Sequence, residues 1–462
     1  MSGKPRGGGG PGGGDHPGAG SSGDGAGGCF PTAVVRRGVH WLSGLGPDGD
    51  VVVSSRVRLA RNLAGFPFLN RATRTQRQGV LDRTRERLLA LAAGESPSGA
   101  GAGSAAPAKR LCQQLLWVDV HRAPTLDRTL MVERHLISKE HARGPTPFGG
   151  PGASVTASGT EDKSGGGMLI VGGGALAGAG NGGEDEPARE GKPTGAAGAG
   201  AGVTGEPRGV AISLPDESLS VMVNEEDHLR LQALVSGLGL LSAFAALSRV
   251  DDAIEGPTSA GEVEYAYSAR FGYLTACPTN VGTGLRASVM LHLPGLKLLG
   301  EMDKVRRATR DMSLAVRGYY GEGSEAAGEF FQISNQTTLG KTETAVIEEL
   351  EHEIIPQVVA YERAARRVLL DKRRRLLEDK VFRALGTLRH ARLLTPEEAI
   401  MLLSDVRLGV LVGLIQDVTH QQVNQLVLLT QPAHLQRALG REMDQGERRE
   451  ARADFVRQAL GA

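Results

Sequence analysis

Three glycine-rich blocks limit where this chain can fold. The sequence has 66 glycines among 462 residues, and many lie in a tail at 1–38 and in two internal blocks at about 94–106 and 142–207. These segments hold too few apolar side chains to form a packed core. A structureless loop as long as the third block is uncommon inside a compact domain. We therefore predict a disordered tail and two disordered insertions, with one short strand at Gly167–Val171.

Charge and composition exclude several classes of protein. The formal net charge of +1 argues against coating nucleic acid, and an aromatic content of 4% is poor for stacking on single-stranded bases. Cys29, Cys112 and Cys277 are too few and too irregularly spaced for a disulfide framework or a zinc site. No apolar run is long enough to span a membrane, and no signal-peptide core is present. These features predict a soluble cytoplasmic protein that binds neither nucleic acid nor membranes.

The densest group of chemically useful side chains is Asn224–Arg230, which holds three acids, a histidine and an arginine. The apolar stretch Ser218–Val223 before it predicts a strand. Leucines at 229, 231, 234 and 238 recur at roughly helical spacing and predict a helix after it. A strand-to-helix junction can direct such side chains into a cleft. The alternative is a solvated helix start, because acids favour a first turn.

Several arginines lie on or directly beside predicted strands. Arg56 and Arg58 share one face of the strand at 51–62, because side chains alternate along a strand. Two adjacent guanidinium groups suit a phosphate chain, although an exposed basic strand paired with acids is the alternative. Arg286 follows a loop shaped by proline and glycine at 277–284, and Arg317 ends a strand before a glycine-flanked loop with two acids. These two arginines are further candidates for phosphate binding.

Helices dominate the last part of the chain. Helical periodicity begins beyond Thr344, and further helices are predicted at 396–403, 433–439 and 448–460. Thr395–Glu398 has the pattern of a capping box. Earlier in the chain we predict a helix at 76–91 and strands at 113–120 and 209–213. A separate all-helical C-terminal domain follows from this pattern.

Two common nucleotide-binding motifs are absent. Gly340–Thr342 looks like the end of a P-loop, but Asn335 stands where the motif requires its first glycine. No G-x-G-x-x-G sequence follows a predicted strand and opens a helix. We therefore predict neither a P-loop protein nor a Rossmann fold.

Four motifs, at 54–62, 224–230, 277–288 and 317–325, resemble those of ATP:guanido phosphotransferases and occur in the same order. Stretches at 331–336, 404–409 and 429–432 resemble, more narrowly, bacterial protein-arginine kinases of the McsB type. The resemblance implies an α+β fold: a curved antiparallel sheet flanked by helices at 39–364, the phosphagen-kinase catalytic fold, followed by an all-helical C-terminal domain at 365–462.

The resemblance also implies an ATP-dependent kinase that uses Mg²⁺ and phosphorylates arginine side chains of proteins. A kinase for free arginine or another small guanidino compound is one alternative, and a non-catalytic phosphoarginine-binding adaptor is another. No metal ligand from the protein is assigned. The residues implied in the nucleotide site are Ser54, Ser55, Arg56, Val57, Arg58, His135, Arg230, Arg286, Ala287, Ser288, Val289, Met290, Arg317, Gly318, Tyr319, Tyr320 and Gly321.

Two carboxylates are expected to handle the guanidino substrate. A free guanidinium has a pKa of roughly 12.5–13.8 and is a poor nucleophile until it loses a proton. Carboxylates can orient the planar group by bidentate hydrogen bonds, and one can accept its proton. The resemblance assigns the base to Glu226 and the partner role to Glu322. It places Cys277 beside the substrate in a tuning role.

The resemblance extends to regulation and partners. Arg448–Ala453 matches the phosphoarginine-binding Arg-Asp-x-x-Arg-Ala motif at Arg448, Arg452 and Ala453, but Arg449 replaces the acid. Allosteric phosphoarginine binding by Arg448 and Arg452 is therefore a weakened expectation. Proteins of this type imply a homodimer, substrates with exposed arginine, a McsA-like activator, and the ClpC–ClpP protease for degradation under stress.

Overall fold

The computed structural model describes residues 38–93, 114–143, 206–259, 261–318 and 327–461. Several predictions fall outside these ranges. They concern the tail up to residue 37, the block at 94–106, residues 144–205 with the strand at Gly167–Val171, and the loop residues Tyr319, Tyr320, Gly321 and Glu322.

An eight-stranded antiparallel sheet forms the centre of the described structure. Its strand order is β11-β12-β10-β1-β5-β4-β3-β2. Short pairs β6–β7 and β8–β9 lie outside this sheet. The strands are β1 (Val52–Arg61), β2 (Leu115–Asp119), β3 (Gly209–Ser213), β4 (Leu219–Val223), β5 (Leu229–Ser236), β6 (Gly256–Thr258), β7 (Gly261–Val263), β8 (Tyr267–Ser268), β9 (Gly272–Tyr273), β10 (Leu285–His292), β11 (Leu314–Gly318) and β12 (Phe330–Asn335).

Helices flank the sheet and make up the C-terminal region. They are α1 (Arg74–Ala93), α2 (Thr125–Glu133), α3 (Lys139–Ala142), α4 (Leu240–Ile254), α5 (Pro294–Leu299), α6 (Met302–Asp311), α7 (Glu343–Glu348), α8 (Ile355–Lys372), α9 (Arg374–His390), α10 (Pro396–Leu411), α11 (His420–Leu429), α12 (Pro432–Leu439) and α13 (Gln445–Ala459). One π-helical turn, Glu349–Ile354, joins α7 to α8.

β1 is a central strand whose two faces have different environments. Val57 and Leu59 belong to the main hydrophobic core, together with Leu247 and Val250 of α4. Arg56 and Arg58 alternate with these residues and therefore lie on the opposite face. The core fixes the register of β1, because a slip of one residue would exchange the two faces.

A second hydrophobic core joins the C-terminal helices to the sheet. It contains residues of α9, α10, α11 and α13 as well as Val53, Leu234 and Met290 of the sheet. Arg407 of α10 is fully buried at this joint and donates Nη2 to Gly49 O at 2.9 Å and Nη1 to Asp50 O at 3.0 Å. The C-terminal helices therefore pack directly on the sheet, including β1, the strand that carries Arg56 and Arg58.

One prediction of secondary structure is wrong. The segment after Asn224–His228 is strand β5, so the acidic stretch forms the turn of a β-hairpin rather than a strand-to-helix junction. β5 pairs with β1 on one side and β4 on the other, and apolar residues are buried on both of its faces. A strand buried on both faces loses the alternation that distinguishes it from a helix. The helix begins only at Leu240.

Most other elements agree with the patterns. The helix predicted at 76–91 is α1, and β2, β3 and β11 lie where strands are expected. The region after Thr344 is helical, but α10 extends to Leu411 and α11 was not predicted. Thr395 Oγ1 accepts the N–H of Glu398 at 3.1 Å, as a cap requires. The domain boundary at 364/365 stays a prediction, and it falls within α8.

Candidate active site

Five arginines share the face of the sheet opposite the main core. In β1, Arg56 pairs with Ser288 of β10, and Arg58 pairs with Arg286 of the same strand. Arg230 of β5 pairs with Ala60 of β1, and Arg317 of β11 pairs with Gln332 of β12. Because residues opposite each other in a sheet point to the same side, this register collects the cations on one surface. The predicted phosphate ligands therefore converge.

Electrostatics mark this surface as an anion site. Burial, followed by repulsion from Arg230, Arg286 and Arg317, lowers the pKa of Arg56 to about 10. Burial and neighbouring arginines also hold the pKa of Arg58 well below its ordinary value. Arg58 Nε is buried without a hydrogen-bond partner in the described part of the chain. Cations held together in this way favour a polyanionic ligand that would satisfy them.

A small pocket opens beside Arg56. Its walls are mixed apolar and polar, as is common for small-molecule sites. His135 lies edge-on to Trp41, with ring centroids 4.9 Å apart. Burial, then Arg56 and Arg58, lowers the pKa of His135 to about 3, so its imidazole is neutral. The lining residues are Trp41, Ser54, Arg56, His135, Leu234, Ser288, Met290 and Gln332.

The hairpin turn between β4 and β5 presents Glu226 at the edge of the arginine-rich face. Glu225 Oε1 accepts a charge-assisted hydrogen bond from Arg230 Nη1 at 2.6 Å, and its side chain is 3% exposed. Glu226 is 46% exposed and lies 3.5 Å from Arg230 Nη2. Burial raises the pKa of Glu226, and Asp227 and Glu225 add to the shift while Arg230 opposes it. A carboxylate with a raised pKa is better suited to accept a proton.

The other members of the turn hold its shape. Asp227 Oδ1 accepts from Asn62 Nδ2 and from the backbone N–H of Ala276, both at 2.6 Å. His228 Nδ1 accepts from Leu63 N–H at 3.0 Å, so its Nε2 donates to the carbonyl of Pro67 at 2.9 Å. Asp227 thus joins the turn to the loop that carries the candidate cysteine.

Cys277 is a free, partly exposed thiol at the start of a 3₁₀ turn, Pro278–Asn280. Its Sγ lies 3.0 Å from Thr279 Oγ1. Ala276, whose N–H binds Asp227, directly precedes it. The loop that carries Cys277 is therefore tied to the turn that carries Glu226.

Other predicted site residues are placed differently. Ser55 donates Oγ to Gly237 O at 2.8 Å, and Val57, Ala287 and Val289 lie in the main core. Their side chains face away from the arginines, so only their backbone could take part in the site. Gly318 ends β11, directly before the loop that is not described.

The C-terminal pair Arg448 and Arg452 is split between surface and interior. Arg452 is 1% exposed and donates Nε to Thr430 O at 2.7 Å and Nη1 to Leu394 O at 2.8 Å. Arg448 is partly exposed and donates to Met443 O at 2.5 Å. These hydrogen bonds to Thr430 and Leu394 are typical of a residue that stabilises the packing of helices.

Sequence reasoning missed three lining residues of the pocket: Trp41, Leu234 and Gln332. Trp41 carried a usable signal, because large aromatic side chains are scarce in this chain. The contact of Trp41 with His135 depends on tertiary packing, which no local sequence pattern encodes. Among the described residues, no group of three or more His, Cys, Asp or Glu is arranged to hold a metal ion, and no helix could cross a membrane.

Two family models match consecutive parts of the chain. Residues 196–365 match the ATP:guanido phosphotransferase C-terminal catalytic domain, and residues 374–462 match the protein-arginine kinase McsB C-terminal domain. A protein-arginine kinase of Halothermothrix orenii is 36% identical over 91% of this chain and 96% of its own length. One from Symbiobacterium thermophilum is 39% identical over 93% of this chain and 98% of its own length.

This chain belongs to the protein-arginine kinase family. The resemblance that the motifs suggested is confirmed, as are the α+β fold class, the phosphotransferase class and ATP as a substrate. Among solved structures, a lombricine kinase has a TM-score of 0.45 and is 19% identical, covering 72% of this chain and 71% of its own. A duplicated taurocyamine kinase of Schistosoma mansoni bound to transition-state analogue components has the same TM-score at 23% identity, with coverages of 73% and 36%.

Proposed function

We propose that this protein-arginine kinase transfers the γ-phosphoryl group of ATP to arginine side chains of proteins on the arginine-rich face of its sheet. One observation carries the assignment of the site: Arg56 and Arg58 are gathered with three further arginines, and neither guanidinium has a hydrogen bond or ion pair with the described residues. Such a surface offers the charge neutralisation that phosphoryl transfer needs. Glu226 at its edge supplies a carboxylate that can accept the proton of a guanidino substrate.

The nucleotide would lie with its base in the pocket and its phosphates across β1 and β10. The indole of Trp41, the neutral imidazole of His135 and the side chain of Met290 offer apolar contacts for a base. Arg58 and Arg286 are neighbours across the two strands and would bind the phosphate oxygens. The base and the phosphates of one nucleotide can therefore occupy adjoining surfaces.

Mg²⁺ would arrive with the nucleotide. This ion keeps several water ligands and commonly binds substrate phosphates with few protein carboxylates, so a dedicated cluster of acids is not required. When bound, Mg²⁺ draws charge from the phosphate oxygens. The arginines supply the remaining positive charge.

Glu226 would accept the proton from the substrate guanidinium, leaving a nitrogen lone pair to attack the γ-phosphorus. A phosphorus–nitrogen bond forms, the bond to the β–γ bridging oxygen breaks, and ADP leaves with that electron pair. Glu322 remains the proposed second carboxylate, and Cys277 the proposed tuning group beside the substrate. Asp227 supports this arrangement because it accepts hydrogen bonds from Asn62 and from the backbone of Ala276. These bonds join the turn that carries Glu226 to the loop that carries Cys277.

Incubation with ATP and an unfolded arginine-containing protein tests this proposal. We expect acid-labile phosphoarginine on the protein, read by mass spectrometry under neutral conditions. Label on free arginine alone would support a small-molecule guanidino kinase instead. Binding of phosphoarginine peptides without any transfer would support the adaptor.

We propose a wider role on the resemblance alone. Phosphorylated proteins would be directed to ClpC–ClpP in the cytoplasm under stress, with a McsA-like activator and a homodimeric kinase. Binding of phosphoarginine at α13 would rest on Arg448, since Arg448 is partly exposed whereas Arg452 is 1% exposed. A pull-down with phosphoarginine resin tests the last point, and Arg448→Ala should weaken retention.

A further inference from the structure

Helix α12 of the C-terminal region is held by an acid from the catalytic part of the chain. The carboxylate of Glu133, the last residue of α2, accepts the backbone N–H of Ala433 at 2.8 Å and that of His434 at 3.0 Å. The N-cap residue of α12, Gln431, makes no side-chain cap bond. Glu133 thus satisfies N–H groups that every helix start leaves without a partner inside the helix.

The buried imidazole of His434 extends this contact in a defined tautomer. Its Nε2 lies 3.2 Å from Arg134 Nη1, and its Nδ1 lies 2.7 Å from Glu133 Oε2. A guanidinium can only donate, so Nε2 accepts and Nδ1 carries the proton that it donates to Glu133. Burial lowers the pKa of His434, which agrees with a neutral ring.

Arg134 completes a continuous chain of buried hydrogen bonds. Its side chain is 1% exposed, and its Nε and Nη2 both bind the carboxylate of Glu217 at 2.7 Å. Glu133, His434, Arg134 and Glu217 are therefore linked without a break. In such networks, removal of one member leaves the others buried and unsatisfied.

The backbone connects this chain of hydrogen bonds to the proposed nucleotide pocket. His135 directly follows Arg134 and has a φ of 59°, which is uncommon for a residue other than glycine. Such a conformation persists only where the surroundings enforce it. The ring of His135 lines the pocket and meets Trp41. The residue just before this strained backbone, Arg134, is the one that the chain of hydrogen bonds holds in place.

We infer that His434 is a positioning residue for nucleotide binding, which it supports through Glu133 and Arg134 by holding His135 against Trp41. The C-terminal helical region is then a working part of the nucleotide site, although none of its residues lines the pocket. This inference rests on the proposed assignment of the pocket to the base of ATP.

Tryptophan fluorescence provides a direct test, because the chain contains only Trp41 and Trp117. In a Trp117→Phe background, the emission of Trp41 should respond to ATP and report its dissociation constant. His434→Ala should shift this emission without ATP and raise the dissociation constant about tenfold, as expected for about 1.4 kcal/mol from a broken buried hydrogen bond. The kcat at saturating ATP and the KM for the protein substrate should stay within about twofold.

Two further variants separate positioning from general docking of the helices. His434→Gln keeps an acceptor for Arg134 and should restore part of the affinity. Arg437→Met breaks the ion pair of Arg437 with Asp127, which also joins α12 to α2, without touching the His434 chain. It should leave the dissociation constant of ATP within about twofold of the parent.

The inference is overturned if folded His434→Ala binds ATP as tightly as the parent, or if Arg437→Met weakens binding to the same degree. Should His434→Ala fail to fold, Glu133→Gln is the substitute. It keeps an acceptor for the backbone N–H groups and should raise the dissociation constant about threefold, and an unchanged value overturns the inference. If the parent binds no ATP at all, the proposed function fails as well.

Discussion

Arg58 and Arg61 stand three residues apart on β1, yet the sheet puts them in opposite situations. Arg61, on the covered face, donates Nε at 3.0 Å and Nη2 at 2.7 Å to Asp251 Oδ2, and Nη1 at 3.0 Å to Thr283 O. Its guanidinium also lies 3.5 Å from the ring centroid of Tyr273. Arg61 is thus satisfied entirely by the protein.

Arg58 lies on the other face, partly buried among cations. Its pKa is depressed by burial and by Arg56, Arg230 and Arg286, whereas the carboxylate of Glu225 opposes the shift. The difference separates two uses of an arginine on this strand. Arg61 is paired with an acid and stabilises the fold, whereas Arg58 has no side-chain partner among the described residues and is available to bind an anion. The substitutions below test that separation.

Of the substitutions at Arg58, Arg61 and Asp405, Arg58→Met should have the largest effect, and the loss should be in activity. Removal of one donor from a site that stabilises developing charge commonly costs about 10²–10³-fold, and we expect kcat/KM for phosphoryl transfer to fall by about 10³. The melting temperature should be unchanged or higher, because repulsion among the remaining arginines is relieved. A drop in melting temperature of many degrees would show that Arg58 is structural.

Arg61→Met should reverse this pattern. It leaves Asp251 buried without its cation, and breaking a buried pair costs about 3 kcal/mol or more of unfolding free energy. Chemical denaturation measures the loss, and the fraction that stays folded should keep its kcat. The double variant Arg61→Met/Asp251→Leu should recover part of the stability. If Arg61→Met lost kcat without losing stability, Arg61 would behave as we expect of Arg58, and the proposed difference between the two residues would be wrong.

Asp405 extends the comparison to an acid and should give the smallest effect. Burial raises its pKa to about 6 although Lys380 Nζ lies 3.0 Å away. Between about pH 3.8 and 6 the folded state binds more protons than the unfolded chain, so this group lowers stability as the pH rises through that window. Asp405→Asn should therefore match the parent near pH 4 and exceed its unfolding free energy by up to about 3 kcal/mol at pH 7.5, which is the free energy that corresponds to the difference between a pKa of 3.8 and one of about 6. An equal difference at both pH values would contradict this.

Alternation along the chain predicted the faces of one strand correctly and misread another. Alternation alone was enough to place Arg56 and Arg58 on one face, and pairing of β1 with β10 adds Arg286. The same reasoning misread Leu229–Ser236, because a strand with neighbours on both sides buries both faces and loses its period.

Long-range packing accounts for what the sequence could not predict. Trp41 enters the pocket because its segment packs on β1 and β5, and no local feature near Trp41 encodes that contact. The joint at Arg407 depends on backbone carbonyls of Gly49 and Asp50, more than 350 positions away in the chain. Carbonyls carry no residue-specific signal, so a contact of this kind cannot be read from composition.

Phosphoarginine formation by Glu226→Gln tests the central claim most directly. The amide keeps the size of the side chain but cannot take the guanidinium proton, so transfer to protein should fall by at least about 10³-fold. ATP binding, followed by Trp41 fluorescence, should stay within a few-fold of the parent. Glu225→Gln, which weakens the bond to Arg230, is the matched control and should lose less activity. Labelling by Glu226→Gln within tenfold of the parent would contradict the assignment of the base.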